Sequence, residues 1–192
     1  MNFLGHIYFS QNNTELMYAN LFGDFVKGRN LSRYKPIVQK GIRIHREIDN
    51  FIDHHPVTIE LFHHLYPSLP KVTGIAVDLY FDHLLAKNWS TYSTINFTEF
   101  LDNFYQHVIL PSDYPNLRFH YMLSKMKEHN WLEHYLELNG LERACQGVSK
   151  RISFENNLHE GRTVFEIHEA LITQAFHDFM EKAIIHFRTF ES

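Results

Sequence analysis

The sequence predicts an all-α protein, and three observations support this. Apolar residues recur three, four or seven positions apart along most of the chain, no stretch alternates with a period of two, and Pro, Gly or Asn punctuates the periodic runs. The chain has 192 residues, 44% hydrophobic and 21% charged, which is enough for one well-buried core. With no internal repeat, low-complexity tract or linker, residues 1–192 are expected to form a single helical bundle.

Two short apolar helical segments open the chain, one around Phe3, Leu4, Ile7 and Phe9, the other around Leu21, Phe22, Phe25 and Val26. Gly28 suits a helix end, because glycine enters the left-handed conformation without a Cβ clash. Pro36 suits a first helical turn, and the helix it starts should reach His54, where Pro56 interrupts it. Pro67 and Pro70 bracket a turn before a helix from Lys71 to Lys87. Asn96, followed by Glu99 three residues later, resembles a capping box for a helix to Leu110, which Pro111 and Pro115 end. Helices are then expected at 116–127, 130–138 and 141–150. The last helix should run from Thr163 to Phe190, with Phe165, Ile172, Phe176, Phe179, Ala183 and Phe187 on its apolar face.

Composition narrows the setting. The single cysteine, Cys145, has no internal partner, and no apolar leader precedes the first polar residues, which points to a reducing cytoplasm. No uncharged apolar run approaches the roughly 18 residues of a membrane span. Net charge is −4, yet residues 25–46 hold Lys27, Arg29, Arg33, Lys35, Lys40, Arg43 and Arg46 and no acidic side chain. A basic face on an acidic body attracts an anionic macromolecule. The overall acidity and the absence of a nucleic-acid motif argue against DNA or RNA. Nothing in the sequence fixes the oligomeric state.

Polar residues spaced four apart inside apolar helices carry the chemical signal, because such residues share a face. Asn2 and His6 form one such pair, and Asn20 and Asp24 another. His45, Asp49 and Asp53 form a series beside Ile44, Ile48 and Ile52, and Asp78 and Asp82 stand among Val77, Leu79, Tyr80, Phe81 and Leu84 with His83 adjacent. Burying an unpaired carboxylate costs several kcal/mol, so these groups must be paired, hydrated or bound to a cation. Asp and His without thiolates suit Mn, Fe or Zn, and also Mg. The same spacing also fits a surface stripe or structural ion pairs.

The blocks Met1-Asn2-Phe3-Leu4-Gly5-His6, Asn20-Leu21-Phe22-Gly23-Asp24-Phe25-Val26-Lys27-Gly28, His45-Arg46-Glu47-Ile48-Asp49 and Asp78-Leu79-Tyr80-Phe81-Asp82-His83, with Trp89-Ser90 after them, resemble the acyl carrier protein phosphodiesterase family. The resemblance continues more weakly through Trp131-Leu132 and Gly147 to Arg151. It implies a fold distantly related to the HD-type metal-dependent phosphohydrolases and a Mn-favouring hydrolase. The implied substrate is holo acyl carrier protein, a small acidic protein whose serine-linked 4'-phosphopantetheine would be released by water. The literal His-Asp dipeptide occurs only at His177-Asp178, outside these blocks, and is set aside.

Under that resemblance Asp24, His45, Asp82 and His83 are the expected metal ligands. His6 is either a further ligand or the acid that protonates the departing serine oxygen. Asp49 or Asp78 orients a ligand imidazole or accepts a proton from the attacking water. Asn2 and Asn20 are expected to hydrogen-bond the ligands. Arg46, beside His45, is expected to hold the phosphate, and Lys27, Arg29, Lys40 and Arg43 to contact the carrier. Two other functions remain open: a metal-dependent hydrolase of a small nucleotide or other phosphodiester, and a non-catalytic helical binding module.

Overall fold

A computed structural model describes residues 1–190. Glu191 and Ser192, at the end of the expected domain, lie outside the described residues. The chain forms α1 (Phe3–Tyr8), α2 (Thr14–Leu21), a 3-10 turn (Phe22–Phe25), α3 (Pro36–His54), α4 (Pro56–Leu65), α5 (Thr73–Lys87) and α6 (Trp89–Tyr92). Then come α7 (Phe97–Gln106), α8 (Leu117–Glu128), a 3-10 turn (Glu133–Leu136), α9 (Leu138–Ser149), α10 (Gly161–Ile167) and α11 (Glu169–Thr189), with two further short 3-10 turns. The described residues include no strand, so the expected all-α class is observed. No described helix is long and apolar enough to cross a membrane.

α5 forms the centre of the bundle. It is buried on most sides, with Ala76, Val77, Leu79, Tyr80, Phe81, Leu84 and Leu85 all out of solvent, as a helix surrounded by others must be. α1, α4, α9 and α11 pack around it. Each large side chain buried there contributes roughly 1.5–3 kcal/mol. The Tyr80 hydroxyl keeps a partner by donating to the Gly161 carbonyl at 2.7 Å. Trp89 is likewise a core anchor, donating its ring N–H to the Ile95 carbonyl.

α3 is amphipathic, with Val38, Ile42, Ile48 and Ile52 buried and Arg43 in solvent. Gly41 lets it lie directly on α2, because a Cβ there would run into Ala19 and the Asn20 backbone. Asn13, Asn96 and Asn116 cap α2, α7 and α8 by accepting backbone N–H groups through their side chains.

Several boundaries differ from the sequence reading. α5 starts at Thr73 because Lys71 has φ +67°, outside the helical region. α7 stops at Gln106 rather than Leu110. Asn130 has φ +47°, and the helix expected over 130–138 shrinks to the 3-10 turn at Glu133–Leu136. The C-terminal helix breaks at His168, because α10 packs on α9 whereas α11 packs on α4 and α5.

Candidate metal centre

α1, α2, the 3-10 turn and α3 converge on a small polar cluster. His6, one turn into α1, is buried, and its ring stacks on that of His45 from α3. Asp49 lies one turn beyond His45, as four-residue spacing requires, and reaches both rings. Its Oδ1 is 3.3 Å from His6 Nε2 and its Oδ2 is 3.3 Å from His45 Nε2. Asp24 Oδ1 approaches His45 Nε2 from the other side at 3.3 Å, with its side chain about half exposed. His6, His45 and Asp49 are the only group of three His, Cys, Asp or Glu residues among the described residues whose donor atoms lie within 4.8 Å of one another.

Hydrogen bonding fixes the His6 tautomer. Asn20 donates its side-chain N–H groups to the His6 carbonyl at 2.8 Å and to Ser10 Oγ at 3.1 Å. Its Oδ1 is left as an acceptor and lies 3.0 Å from His6 Nδ1, so that nitrogen carries the hydrogen. Burial and the neighbouring His45 lower the His6 pKa below its ordinary 6.5. The ring is therefore neutral at pH 7, with the Nε2 lone pair facing the Asp49 carboxylate. Burial works to raise both carboxylates, but the hydrogen bonds and charge that the histidines supply in their protonated form outweigh it and hold Asp24 and Asp49 below the usual range. The His6 lone pair and two negative charges thus converge with no hydrogen between His6 and Asp49. Such a donor set fits a divalent cation.

Packing, together with the Nε2 contacts to Asp24 and Asp49, places the His45 ring. Its Nδ1 is buried and has no partner among the described residues. Gly23 lies flat against it, and a Cβ at that position would fall on the imidazole carbons.

The model of the acyl carrier protein phosphodiesterase family matches residues 1–183. The chain belongs to that family. It is 29% identical over 188 residues to a Photorhabdus laumondii subsp. laumondii protein named acyl carrier protein phosphodiesterase, with 95% of each chain covered. Identity to an Enterobacter sp. protein of the same name is 28% over 188 residues, with 96% of each chain covered. A Yersinia pestis protein of that name is 28% identical over 152 residues, 79% of each chain. No solved structure matches.

In this member of the acyl carrier protein phosphodiesterase family, the expected ligand set Asp24, His45, Asp82 and His83 is not brought together. Asp82 is fully buried and caps the start of α1, accepting N–H groups from Asn2 at 3.1 Å, Leu4 at 2.7 Å and Gly5 at 3.0 Å. α1 supplies no side-chain cap of its own, so its orphan N–H groups are met by a carboxylate from α5. His83 turns away and hydrogen-bonds the Tyr135 carbonyl through Nδ1 at 2.7 Å, while its ring meets the Phe165 edge. Asp78 Oδ1 lies 2.6 Å from the Met1 nitrogen rather than at the cluster. Asn20 and Asp24 do not share a helix face, because α2 ends at Leu21 and Asp24 sits in the 3-10 turn.

The basic segment borders the cluster, but its members differ. The Arg46 guanidinium is tied to the backbone, donating to the Val26 carbonyl at 3.2 Å and the Gly28 carbonyl at 2.7 Å, and so braces the loop behind Asp24. The sequence reading had given it to phosphate. Arg33 stacks on Tyr34, and Lys35 pairs with Asp113 at 2.8 Å. Lys27, Arg29 and Arg43 are exposed, and Lys40 is half-buried. His177 meets the Tyr92 hydroxyl on another part of the bundle. Cys145 is buried, which pushes its thiol up to about 12 and leaves it unreactive.

The sequence reading missed three residues. Ser10 and Gly23 hold the cluster, and Tyr135 receives both Asn2 and His83. The Gly23-Asp24 pair within a quoted block was the available signal for Gly23. Ser10 and Tyr135 carried none.

Proposed function

We propose that this protein hydrolyses the phosphodiester joining a serine of holo acyl carrier protein to 4'-phosphopantetheine. It does so with a divalent cation, Mn favoured over Fe, Zn or Mg, held by His6, His45, Asp49 and Asp24. Family membership supports the substrate. The observation that carries the chemistry is the fixed His6 tautomer, which aims an Nε2 lone pair at Asp49 beside His45.

When bound, such a cation supplies Lewis-acid polarisation of a phosphoryl oxygen and a more acidic water. The chain does the rest. Asn20 and Ser10 hold His6 in one tautomer, Asp49 joins the two imidazoles, and Asp24 completes the donor set on the side open to solvent. The phosphate therefore enters past Asp24. Lys27 and Arg29 lie just beyond it, where their charge draws in an acidic carrier. Water oxygen bonds to phosphorus, the phosphorus–serine oxygen bond breaks, and the serine oxygen ends with the proton. A carrier substrate and a lone buried thiol fit a cytoplasmic setting.

The test is mass spectrometry of holo-carrier incubated with the protein, with and without Mn, beside Asp49→Ala. Loss of the prosthetic-group mass only with metal and the intact aspartate is expected. An unchanged carrier mass in every tube would refute the assignment.

A further inference from the structure

A cavity of about 490 Å³ opens between the start of α1, the segment at Trp131–Tyr135 and α9. Its walls include Phe3, Trp131, Tyr135, Ala144 and Val148, and Arg143 and Arg151 stand at its rim. Neither the metal centre nor the basic segment uses any of these groups. The weaker part of the family resemblance, Trp131-Leu132 and Gly147 to Arg151, runs through this region, and Trp131, Gly147, Val148 and Arg151 line the cavity.

Three features identify an occupant. First, the cavity lies next to the cluster. Asn2 lines it, and the Asn2 carbonyl accepts the His6 N–H at 3.2 Å, so a cavity-lining residue and His6 stand one helical turn apart along α1. Second, α9 leaves room. Gly147 faces open space, where a Cβ would meet nothing within 4 Å. Third, the lining combines the apolar Phe3, Trp131, Ala144 and Val148 with separate polar groups: the Asn2 amide, the Tyr135 hydroxyl that accepts from it at 3.1 Å, the His129 and His134 rings, and the two arginines. Ligand pockets of this size and make-up hold a mostly apolar chain oriented by sparse hydrogen bonds.

We propose that this cavity seats the pantetheine arm of the prosthetic group, a flexible chain carrying amides and a dimethyl carbon, while the attached phosphate reaches the cluster along α1. The inference rests on the hydrolase reading above. The carrier stays on the Lys27 and Arg29 side of the phosphate, while Arg143 and Arg151 keep the cavity positive toward the phosphate-bearing end of the arm. The cavity acts as a specificity element, distinguishing a pantetheine diester from a small phosphodiester without touching the reacting atoms.

The experiment is ligand-observed NMR of free pantetheine with the full chain, comparing the parent with Gly147→Leu and Ala144→Phe, each checked for folding by thermal melting. Leucine is a better helix former than glycine, so the first variant should fold, and the second guards against its failure. Binding to the parent and its loss in the variants is expected, together with an at least ~10-fold higher KM for holo-carrier. No binding to the parent, or equal binding by folded variants, would overturn the proposal. A parent that binds pantetheine but leaves holo-carrier intact refutes the hydrolase reading alone. A parent that cleaves holo-carrier with the same KM as both variants refutes the cavity assignment alone.

Discussion

His6 and His45 lie face to face, ring centroids 4.2 Å apart and planes inclined by 21°, although they come from different helices. Burial, and after it the neighbouring His45, lowers the His6 pKa, so the His6 ring keeps its lone pair available for a cation. Asp49 then acts as the clasp between them.

Cation affinity should fall on acidification. The His6 pKa lies below 6.5 and those of Asp24 and Asp49 below 3.8, so all three are in ligand form at neutral pH. Protons compete first for His6, on the acid side of its ordinary range. Mn titrations at decreasing pH check this. Affinity that is flat or rising between about pH 7 and pH 5 would contradict it.

Gly23→Ala should displace the His45 ring, because the added methyl falls on it. Overpacking of this kind costs about 1–3 kcal/mol, and Mn affinity should fall with it. Urea unfolding and calorimetric Mn titration read the two effects separately.

Asn20→Leu removes the acceptor that holds the hydrogen on His6 Nδ1. Loss of such an orienting partner typically weakens metal binding about 10–100-fold. An unchanged Mn dissociation constant in a folded Asn20→Leu protein would show that the tautomer is set by something else.

Asp82 should give stability a pH dependence of unusual sign. Burial pushes its carboxyl from 3.8 up to about 7, so the folded chain holds this proton more tightly than the unfolded chain. Its contribution therefore declines as pH rises from about 4 to about 7 and is level above that. Asp82→Asn, which cannot ionise, should lack this decline. Denaturation of both proteins in chelator across that range should show the gap shifting toward the Asn variant with rising pH.

Lys27→Glu with Arg29→Glu should raise KM for holo-carrier without altering Mn affinity, because both side chains are exposed beyond the donor set. The parent's KM should rise with salt and the variant's much less, as electrostatic steering requires. Equal salt slopes would remove the basic segment from carrier docking.

Much of the cluster was legible in the chain. His45 and Asp49 share a face because they sit four apart on a long amphipathic helix, and local spacing was enough to show it. Asp78, Asp82 and His83 had the same pattern but a different fate. A carboxylate on an apolar helix satisfies its charge equally well on a metal or on the bare N–H groups of another helix, and which helix end lies opposite is long-range information. The backbone anchorage of the Arg46 guanidinium was hidden for the same reason, since its partners are main-chain carbonyls of the loop that packs against it. The break at His168 was hidden because the apolar spacing continues across it while the packing partners change.

The Asp82 cap also bears on how the protein assembles during synthesis. All four donor residues lie between His6 and Asp49, so they leave the ribosome early, on neighbouring helices that can pair through local contacts. The carboxylate that holds the first turn of α1 arrives only with α5. A nascent chain ending at Leu65 would carry every donor and the Asn20 bonds to His6, yet leave the first N–H groups of α1 uncapped. The first turn of α1, and with it the final seating of the cluster, is thereby tied to completion of the core.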